Sequence, residues 1–285
     1  MKPSSLGISI ATRNRWRDVE KTLAKIAERA EFNNCPIMVV DDGSAQPVPR
    51  TLSEQYPRVD FRLSEECLGA TAQRSRIVEL MKTDYVLQLD DDSYPIRGSV
   101  SEAIAFMESH ADVAALALKI MEGNPNISAG DSTKPPYKVR SFIGCGVILR
   151  RKMFLELGGF AGALVNYTEE RHFCANAIRE GNATYMFPSL VIRHEKSSSA
   201  RSTAKTAYYK GRNRVLLALW HYPLRTIPFR LATSLPGVLV LVRPRDYPSA
   251  VVGFLMGIFD GIRMLGQRRP LTYRQYLSWR GLPPC

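Results

Sequence analysis

Short apolar blocks alternate with amphipathic blocks along the first two-thirds of the chain. Helical periodicity predicts helices at Trp16–Arg29 and Gly69–Met81. Because strands that alternate with helices form right-handed βαβ units, we expect an α/β fold built on a mainly parallel sheet. The apolar runs between the helices are rich in β-forming residues and predict strands at Leu6–Ala11, Pro36–Val40, Val59–Leu63 and Tyr85–Leu89.

The same alternation continues to residue 194. Val147–Arg150 predicts a strand, and a short helix follows it. Glu169 and Glu170 head an amphipathic block that predicts a helix to about Glu180, where Gly181 ends it. A strand at Ala183–Phe187 and the apolar segment Leu190–His194 complete this part of the chain.

Charge divides the chain into two unequal parts. The net charge is +12, but residues 1–192 hold 23 Lys and Arg against 24 Asp and Glu, whereas residues 193–285 hold 16 against 3. A near-neutral first part disfavours a nucleic-acid enzyme, which would carry basic charge around its cleft. The basic residues of the last part are mixed with apolar ones, a combination that favours an anionic membrane surface as partner.

Two apolar stretches, Leu231–Val242 and Tyr247–Phe259, occupy the basic part. Neither reaches the about 18–20 uncharged residues that a spanning helix needs. We therefore expect helices that pack back on the first part of the chain or that lie on a membrane surface. The two arrangements are compatible with each other.

The cysteines and the N-terminus indicate a cytoplasmic protein. The five cysteines are scattered, odd in number and without a C-x-x-C pair, which indicates reduced thiols and predicts neither a disulfide frame nor a zinc site. No apolar segment follows Lys2, so no secretory signal is expected.

Three polar segments follow three of the predicted strands: residues 12–15, 41–44 and 90–92. Ligands of parallel sheets bind beyond the carboxyl ends of the strands, where all three segments would meet. In the triplet Asp90-Asp91-Asp92, strand alternation points Asp90 and Asp92 one way and Asp91 the other. Such a pair of aspartates can hold a divalent cation that in turn binds a diphosphate. A solvated acidic turn would have the same sequence and is the alternative.

Six motifs occur in order along the chain: Ser9–Arg15, Val39–Ser44, Leu89–Asp92, Gly158–Phe160, Glu169-Glu170 and His194. With them the chain resembles the family-2 inverting nucleotide-sugar glycosyltransferases over about residues 5–215. The pair Arg212-Asn213 resembles a further motif of bacterial, rhamnosyltransferase-like members. The resemblance implies a GT-A fold, a Rossmann-like mainly parallel sheet with flanking helices, over residues 1–215. The charge and the apolar stretches predict that residues 216–285 form a basic, apolar helical tail.

The resemblance implies a nucleoside-diphosphate sugar as donor, with a UDP- or dTDP-sugar favoured. Asp42, ahead of Asp41, would accept a hydrogen bond from N3–H of the pyrimidine. Asp and Gly are also ordinary turn residues, so a plain turn is the alternative there. The other implied donor-binding residues are Thr12, Asn14, Arg74, Asp91, Gly144 and Gly146.

For catalysis, the resemblance implies Mn²⁺ or Mg²⁺ held by Asp90, Asp92 and His194. Glu170, with Glu169 beside it, would be the general base that takes the proton of the acceptor hydroxyl, and in-line attack would invert the anomeric centre. The two glutamates also complement a helix N-terminus, and this role is compatible with the role in catalysis.

The implied acceptor is a hydroxyl of a glycan or lipid-linked molecule in surface polysaccharide synthesis, at the inner face of the cell membrane. His172 stands where aspartate is common in the family, a departure that concerns the acceptor. A sugar nucleotidyltransferase is disfavoured because no glycine follows the first strand. A non-catalytic nucleotide-sugar or lipid-binding module is disfavoured by the retained acidic motifs.

Overall fold

The computed structural model describes residues 5–123, 133–195 and 202–285. These residues form an α/β fold in which a single curled sheet is flanked by helices. The strands in chain order are β1 Leu6–Thr12, β2 Ile37–Asp41, β3 Val59–Leu63, β4 Tyr85–Asp90, β5 Ser93–Arg97, β6 Val113–Met121, β7 Tyr137–Val139, β8 Gly146–Arg150 and β9 Ala183–His194.

The helices flank the sheet and then form a separate C-terminal group. In chain order they are α1 Trp16–Ala27, α2 Arg50–Gln55, α3 Ala70–Leu80, α4 Val100–Ser109, α5 Arg151–Glu156, α6 Glu169–Arg179, α7 Thr203–His221, α8 Ile227–Leu239, α9 Tyr247–Arg263 and α10 Tyr273–Gly281.

The sheet has the order β3-β2-β1-β4-β8-β6-β9-β5, and β7 pairs with β9. Its first four strands are parallel, as the βαβ pattern predicts. Beyond β4 the sheet is mixed: β8 is antiparallel to β4 and β6, whereas β6 and β9 are parallel. The predicted segments at 183–187 and 190–194 form one strand, β9, with a bulge after Phe187.

Apolar layers cover both faces of the sheet. Helices α1 and α4 pack on one face with residues such as Leu23 and Met107, both fully buried. Helices α3, α5 and α6 pack on the other face with Ile77, Phe154 and Phe173. With both faces covered, the inner parallel strands β1, β2 and β4 are mostly apolar on both sides, and their acidic residues lie at the carboxyl edge.

The C-terminal helices pack on the chain that precedes them. Helix α7 lies against α8 and α9, and α10 buries Trp279 beside Leu217 and Tyr222. The indole N–H of Trp279 donates to the carbonyl of Arg140 at 2.8 Å. Residue 215, the predicted domain boundary, lies inside α7, and the division into two domains stays a prediction.

Across the described ranges 5–123, 133–195 and 202–285, none of the helices has both the length and the apolar character needed to span a bilayer. Several large apolar side chains of α9 are nevertheless exposed, among them Leu255 at 58% and Phe259 at 52%.

Candidate active site

The acidic triplet lies at the carboxyl end of β4, next to β1. Ala11 pairs with Asp90 in the parallel ladder, which brings the end of β1 beside Asp91. The hydroxyl of Thr12 donates to Asp91 Oδ2 at 2.8 Å, and Arg15 Nη1 lies 2.8 Å from Asp91 Oδ1. Burial raises the pKa of Asp91 to about 7 against the opposing effect of Arg15. Asp91 therefore ties the two strand ends together, a role different from the predicted contact with the donor.

Asp92 is held between a cation and an imidazole. Arg15 Nη2 lies 2.5 Å from Asp92 Oδ2, and Asp92 Oδ1 lies 3.2 Å from His194 Nε2. The pairing of Ser93 with His194 between β5 and β9 produces this contact. His194 Nδ1 also lies 3.1 Å from Glu122 Oε1. Although burial lowers it, the pKa of His194 is raised because Asp92 favours the imidazolium.

Three side chains offer converging metal-ligand atoms. Ligand atoms of Asp90, Cys145 and His194 all lie within 4.8 Å of one another. Burial, together with the charge of Asp90, raises the pKa of the Cys145 thiol and keeps it protonated. A carboxylate oxygen therefore remains as a ligand, together with an imidazole nitrogen once metal binding releases its proton, and this set fits Mn²⁺.

Two of the three predicted metal ligands, Asp90 and His194, thus converge, while the third, Asp92, faces Arg15 and supports His194 from the side. Cys145 was not predicted as part of this cluster. Its position between Gly144 and Gly146 at the start of β8 was the only signal for it in the sequence.

Arg74 on α3 connects the acidic triplet to the head of α6. Its guanidinium pairs with Asp90, and Nη1 lies 3.3 Å from Glu169 Oε1. Burial opposes the charge of Arg74, but Asp90, Glu169 and Glu170 raise its pKa, so it stays cationic. Burial, with the nearby charge of Glu170, raises the pKa of Glu169 to about 8, and this residue is only 2% exposed.

Glu170 is more exposed than Glu169 and lines a cavity. Its pKa is also raised, because burial outweighs the charge of Arg74, which opposes it. A Cβ on Gly144 would lie 2.8 Å from Arg74 Nη1 and 3.3 Å from Glu170 Oε1. A glycine at 144 therefore keeps the space between these two side chains open.

Gly146 has a different role. A Cβ there would lie 2.6 Å from Ile120 Cδ1 and 2.9 Å from Ile192 Cγ1. Packing inside the sheet therefore accounts for this glycine, which the resemblance assigned to donor binding.

The turn that presents Glu169 and Glu170 has an unusual backbone. Tyr167 and Thr168 have φ angles of 66° and 79°, a left-handed region that costs non-glycine residues energy. Asn213 on α7 stabilises the turn, because its amide donates to the carbonyls of Asn166 and Tyr167 at 2.6 and 2.8 Å.

Arg212 holds the preceding loop. It donates to the carbonyl of Ala163 at 2.7 Å and pairs with Asp260 on α9 at 2.6 Å. The Arg212-Asn213 motif therefore positions the two glutamates from the C-terminal helices.

Asp42, after β2, has both carboxylate oxygens occupied by the protein. Oδ1 accepts the backbone N–H of Leu68 and the amide of Gln73, both at 2.8 Å, and Oδ2 accepts the N–H of Gly69 at 2.9 Å. These contacts leave Asp42 little capacity to accept a hydrogen bond from a ligand. The sequence ranked Asp42 above Asp41, but these donors lie 26 or more residues later in the chain, in the loop before α3 and in the first turn of α3 itself.

Asp41 has an oxygen to spare. Its Oδ1 accepts from the N–H and hydroxyl of Ser44, at 3.0 and 2.5 Å, whereas its buried Oδ2 has no hydrogen-bond partner among the described residues. Asn14 closes the neighbouring loop, since its side-chain oxygen accepts the N–H of Ala45 at 2.7 Å and its own N–H donates to Ser44. Asp41 is therefore the better placed of the two aspartates for a ligand.

The family model described as "Glycosyl transferase family 2" matches residues 8–162, more than half of the chain. This match contains most of β1 and all of β2 to β4, with their carboxyl-edge residues, and ends shortly before Glu169. No curated protein sequence is significantly similar to the chain.

Solved structures share the fold at low identity. GalNAc-T7 with UDP, GalNAc and Mn²⁺ has a TM-score of 0.63 at 16% identity, with 76% of this chain and 49% of GalNAc-T7 covered. The mannosyltransferase PcManGT from Pyrobaculum calidifontis, in complex with GDP-Man and Mn²⁺, has a TM-score of 0.61 at 15% identity, covering 92% of this chain and 79% of that one.

S. aureus TarS 1–349 in complex with UDP-GlcNAc has a TM-score of 0.61 at 16% identity, with 92% and 83% covered. The chain thus spans about half the length of GalNAc-T7 and most of the other two. At such identities the likeness establishes the fold alone, and the expected GT-A fold is confirmed.

Proposed function

This chain belongs to glycosyl transferase family 2, and from that premise we propose that it is a metal-dependent inverting glycosyltransferase. It would move a sugar from a nucleoside-diphosphate donor, a UDP- or dTDP-sugar, to a hydroxyl of a glycan or lipid-linked acceptor in surface polysaccharide synthesis. One observation carries the proposal: Arg74 brings Asp90, at the carboxyl edge of the sheet, together with Glu169 and Glu170 at the head of α6.

The base of the donor would be read by Asp41. The imide N3–H of uracil or thymine is a single donor between two carbonyls, and a carboxylate oxygen is its natural acceptor. A buried oxygen without a partner costs free energy until a donor reaches it, and Asp41 Oδ2 is in that position. We therefore transfer the role from Asp42 to Asp41, and assign Asp42 to holding the loop that precedes α3.

The diphosphate of the donor would lie at Asp90. A divalent ion held there by Asp90 and His194, with Asp92 behind the imidazole, would act as a Lewis acid that offsets charge on the departing nucleoside diphosphate. Arg74 is a buried permanent cation beside Asp90, so it would contribute further positive charge to the same group.

Glu170 would act as the general base. In the transfer step the acceptor oxygen forms a bond to C1 of the sugar, the bond from C1 to the phosphate oxygen breaks, and the hydroxyl proton passes to Glu170. Its raised pKa brings Glu170 closer to the working pH, where a base is most effective. Glu169 is buried and paired with Arg74, which suits it to holding the cation in place.

The finer assignments are that the enzyme belongs to the rhamnosyltransferase-like branch and works as a cytoplasmic protein on the inner face of the membrane. The Arg212-Asn213 motif supports the branch, and the exposed apolar face of α9 within a basic C-terminal part supports the membrane surface.

Melting of the purified protein with UDP, dTDP, GDP and CMP, in Mn²⁺ or in EDTA, tests the donor site. A ligand that binds only the native state raises Tm, and the shift grows with the logarithm of its affinity. We expect UDP or dTDP to raise Tm in Mn²⁺ but not in EDTA. The lack of a shift with every nucleotide on folded protein would refute the proposal.

Two variants separate the neighbouring aspartates. Asp41→Asn should keep the Tm of the parent and lose the nucleotide shift. Asp42→Asn should lower Tm even without nucleotide, because it disrupts the hydrogen bonds to Leu68, Gly69 and Gln73. The reverse pattern would return the base-binding role to Asp42.

A further inference from the structure

A cavity of about 320 Å³ opens beside Glu170. Its walls come from residues 140–143, from the turn before α6, and from helices α7, α8 and α10. This volume is at the lower end of the range for small-molecule sites, roughly 300–1,000 Å³. The lining includes Glu170 but none of Thr12, Asp41 or Asp90, so the cavity is distinct from the donor edge of the sheet.

Positive charge dominates the lining. Glu170 supplies the one carboxylate side chain among the lining residues, and it faces six cationic side chains. Within residues 5–123, 133–195 and 202–285, none of the six forms an ion pair with an acidic side chain. The six are Arg140, Arg171, Lys210, Arg214, Arg230 and Arg280.

Repulsion between these cations destabilises their charged forms. Burial and the charges of Arg280 and Arg171 lower the pKa of Arg140, and burial with the charges of Arg171 and Arg280 lowers that of Arg214. Arg280 Nε is buried and has no hydrogen-bond partner among the described residues. A donor left in this state costs free energy that a bound anion would recover.

Neutral contacts hold some of the cations without cancelling their charge. Arg230 donates to the hydroxyl of Tyr276 at 2.5 Å, and Lys210 lies 5.5 Å from the ring centroid of Tyr167. The two cationic groups are therefore held in position while their positive charge remains available to a bound anion. Guanidinium groups that are held in this way suit phosphate oxygens, which they bind through paired hydrogen bonds.

We propose that this cavity binds a phosphate or diphosphate group of the acceptor and so brings the acceptor hydroxyl to Glu170. The inference rests on the proposed function, since it takes Glu170 as the general base. A base must contact the acceptor, so the cavity that contains Glu170 but lacks the donor-edge residues lies on the acceptor side.

The surroundings favour a lipid-linked diphosphate as the source of this group. Val238 and Leu241 of the α8 region line the cavity, and Leu241 is 64% exposed at its margin, with Val240 next to it 86% exposed. An isoprenoid chain attached to a diphosphate would continue from the cations onto this apolar surface. A soluble phosphorylated glycan would use the cations alone.

The test is calorimetric titration of the full chain in EDTA with inorganic pyrophosphate, farnesyl diphosphate and farnesol. Without metal the donor site contributes little to pyrophosphate binding. The double variant Arg214→Met/Arg280→Met removes two cavity cations, and Arg50→Met, on a side chain that is 95% exposed, is the matched control. Lys210→Met replaces the double variant if the latter does not fold.

We expect farnesyl diphosphate to bind the parent and Arg50→Met equally, and the double variant about ten-fold more weakly or worse, since hydrogen bonds to charged groups are lost. The UDP shift in Mn²⁺ should remain in all three. Tighter binding of farnesyl diphosphate than of pyrophosphate, with no binding of farnesol, identifies a lipid-linked source, and equal binding of the two diphosphates identifies a soluble one.

Equal binding by the parent and the double variant, or no binding of either diphosphate to the parent, would overturn the inference. Failure of the proposed function has a separate signature, because the parent would then show no UDP shift whatever happens in the cavity.

Discussion

The crossing of α7 and α9 depends on a glycine whose replacement has a predictable sign. At Gly253 an added Cβ would lie 2.0 Å from the carbonyl oxygen of Tyr208. Ordinary contacts between carbon and a carbonyl oxygen are about 3.3–3.6 Å. The helices would therefore have to separate locally by about 1 Å, and backbone atoms cannot rotate away as a side chain can.

Two opposing effects act in Gly253→Ala. Alanine improves helix propensity by about 1 kcal/mol. Overpacking costs about 1–3 kcal/mol or more, and separation also loosens the close contact of Gly257 with the carbonyl of Arg212, where a Cβ would lie at 2.6 Å. The steric cost prevails, and we expect a net loss of about 1–2 kcal/mol, which lowers Tm by roughly 2–8 °C in a chain of this size.

Differential scanning calorimetry of the variant against Gly266→Ala measures this effect. A Cβ at Gly266 meets nothing within 4 Å, so that control should melt within about 1 °C of the parent. Because α7 carries Lys210 and Arg214, Gly253→Ala should also weaken pyrophosphate binding. A Gly253→Ala protein that melts at or above the parent would refute the close crossing of the helices.

Three further predictions concern catalysis, pH and the membrane. Glu170→Gln should reduce transfer by about 10²–10⁴-fold and keep the UDP shift, and in the parent kcat/KM should fall as pH falls through the raised pKa of Glu170; unchanged turnover would exclude the base role. Burial lowers the pKa of His172 from 6.5 to about 4, so the neutral ring stabilises the fold above pH 6.5, and up to about 3 kcal/mol is lost on the way to pH 4. Urea titrations at several pH values should show that His172→Gln loses this part of the pH dependence of stability and keeps the part that His221 contributes. The same pH dependence in the variant and the parent would contradict the prediction. Leu255→Ser should weaken sedimentation with anionic vesicles, whereas Leu63→Ser, at a position 66% exposed on β3, should not; equal sedimentation of both variants would argue against a membrane role for α9.

The parallel half of the sheet was predictable because β1, β2 and β4 are mostly apolar on both faces and the edge strand β3 alternates apolar and polar residues. The bounds of β1 to β4 agree with the apolar runs to within a residue or so at each end. The segment from β5 to β6 was not predicted. β6 is rich in alanine and leucine, which suit a helix equally well, and β5 contains Pro95 and forms its ladder with β9, about a hundred residues later.

The same division holds in the site. One edge of the sheet brings together Thr12, Asp41 and Asp90, because each of them ends a parallel strand. The occupancy of Asp42 does not follow from strand order, because its donors come from Leu68, in the loop before α3, and from Gln73, within α3, and the sequence does not reveal that these residues contact the end of β2. Short-range patterns thus located the edge, and long-range contacts decided which carboxylate remains available.

The distribution of charge in the sequence gains a physical explanation from the cavity. The match to the family ends at residue 162 and contains the donor edge apart from His194, whereas Glu169, Glu170 and all cavity cations except Arg140 lie beyond it. Under the proposal, the near-neutral part would bind the nucleotide, and its cationic needs would be met by Arg74 and the metal. The basic part would then supply the acceptor site, because four of the six cavity cations belong to residues 193–285. An acceptor that carries phosphate requires such an excess of cations beside the general base, and an uncharged glycan does not.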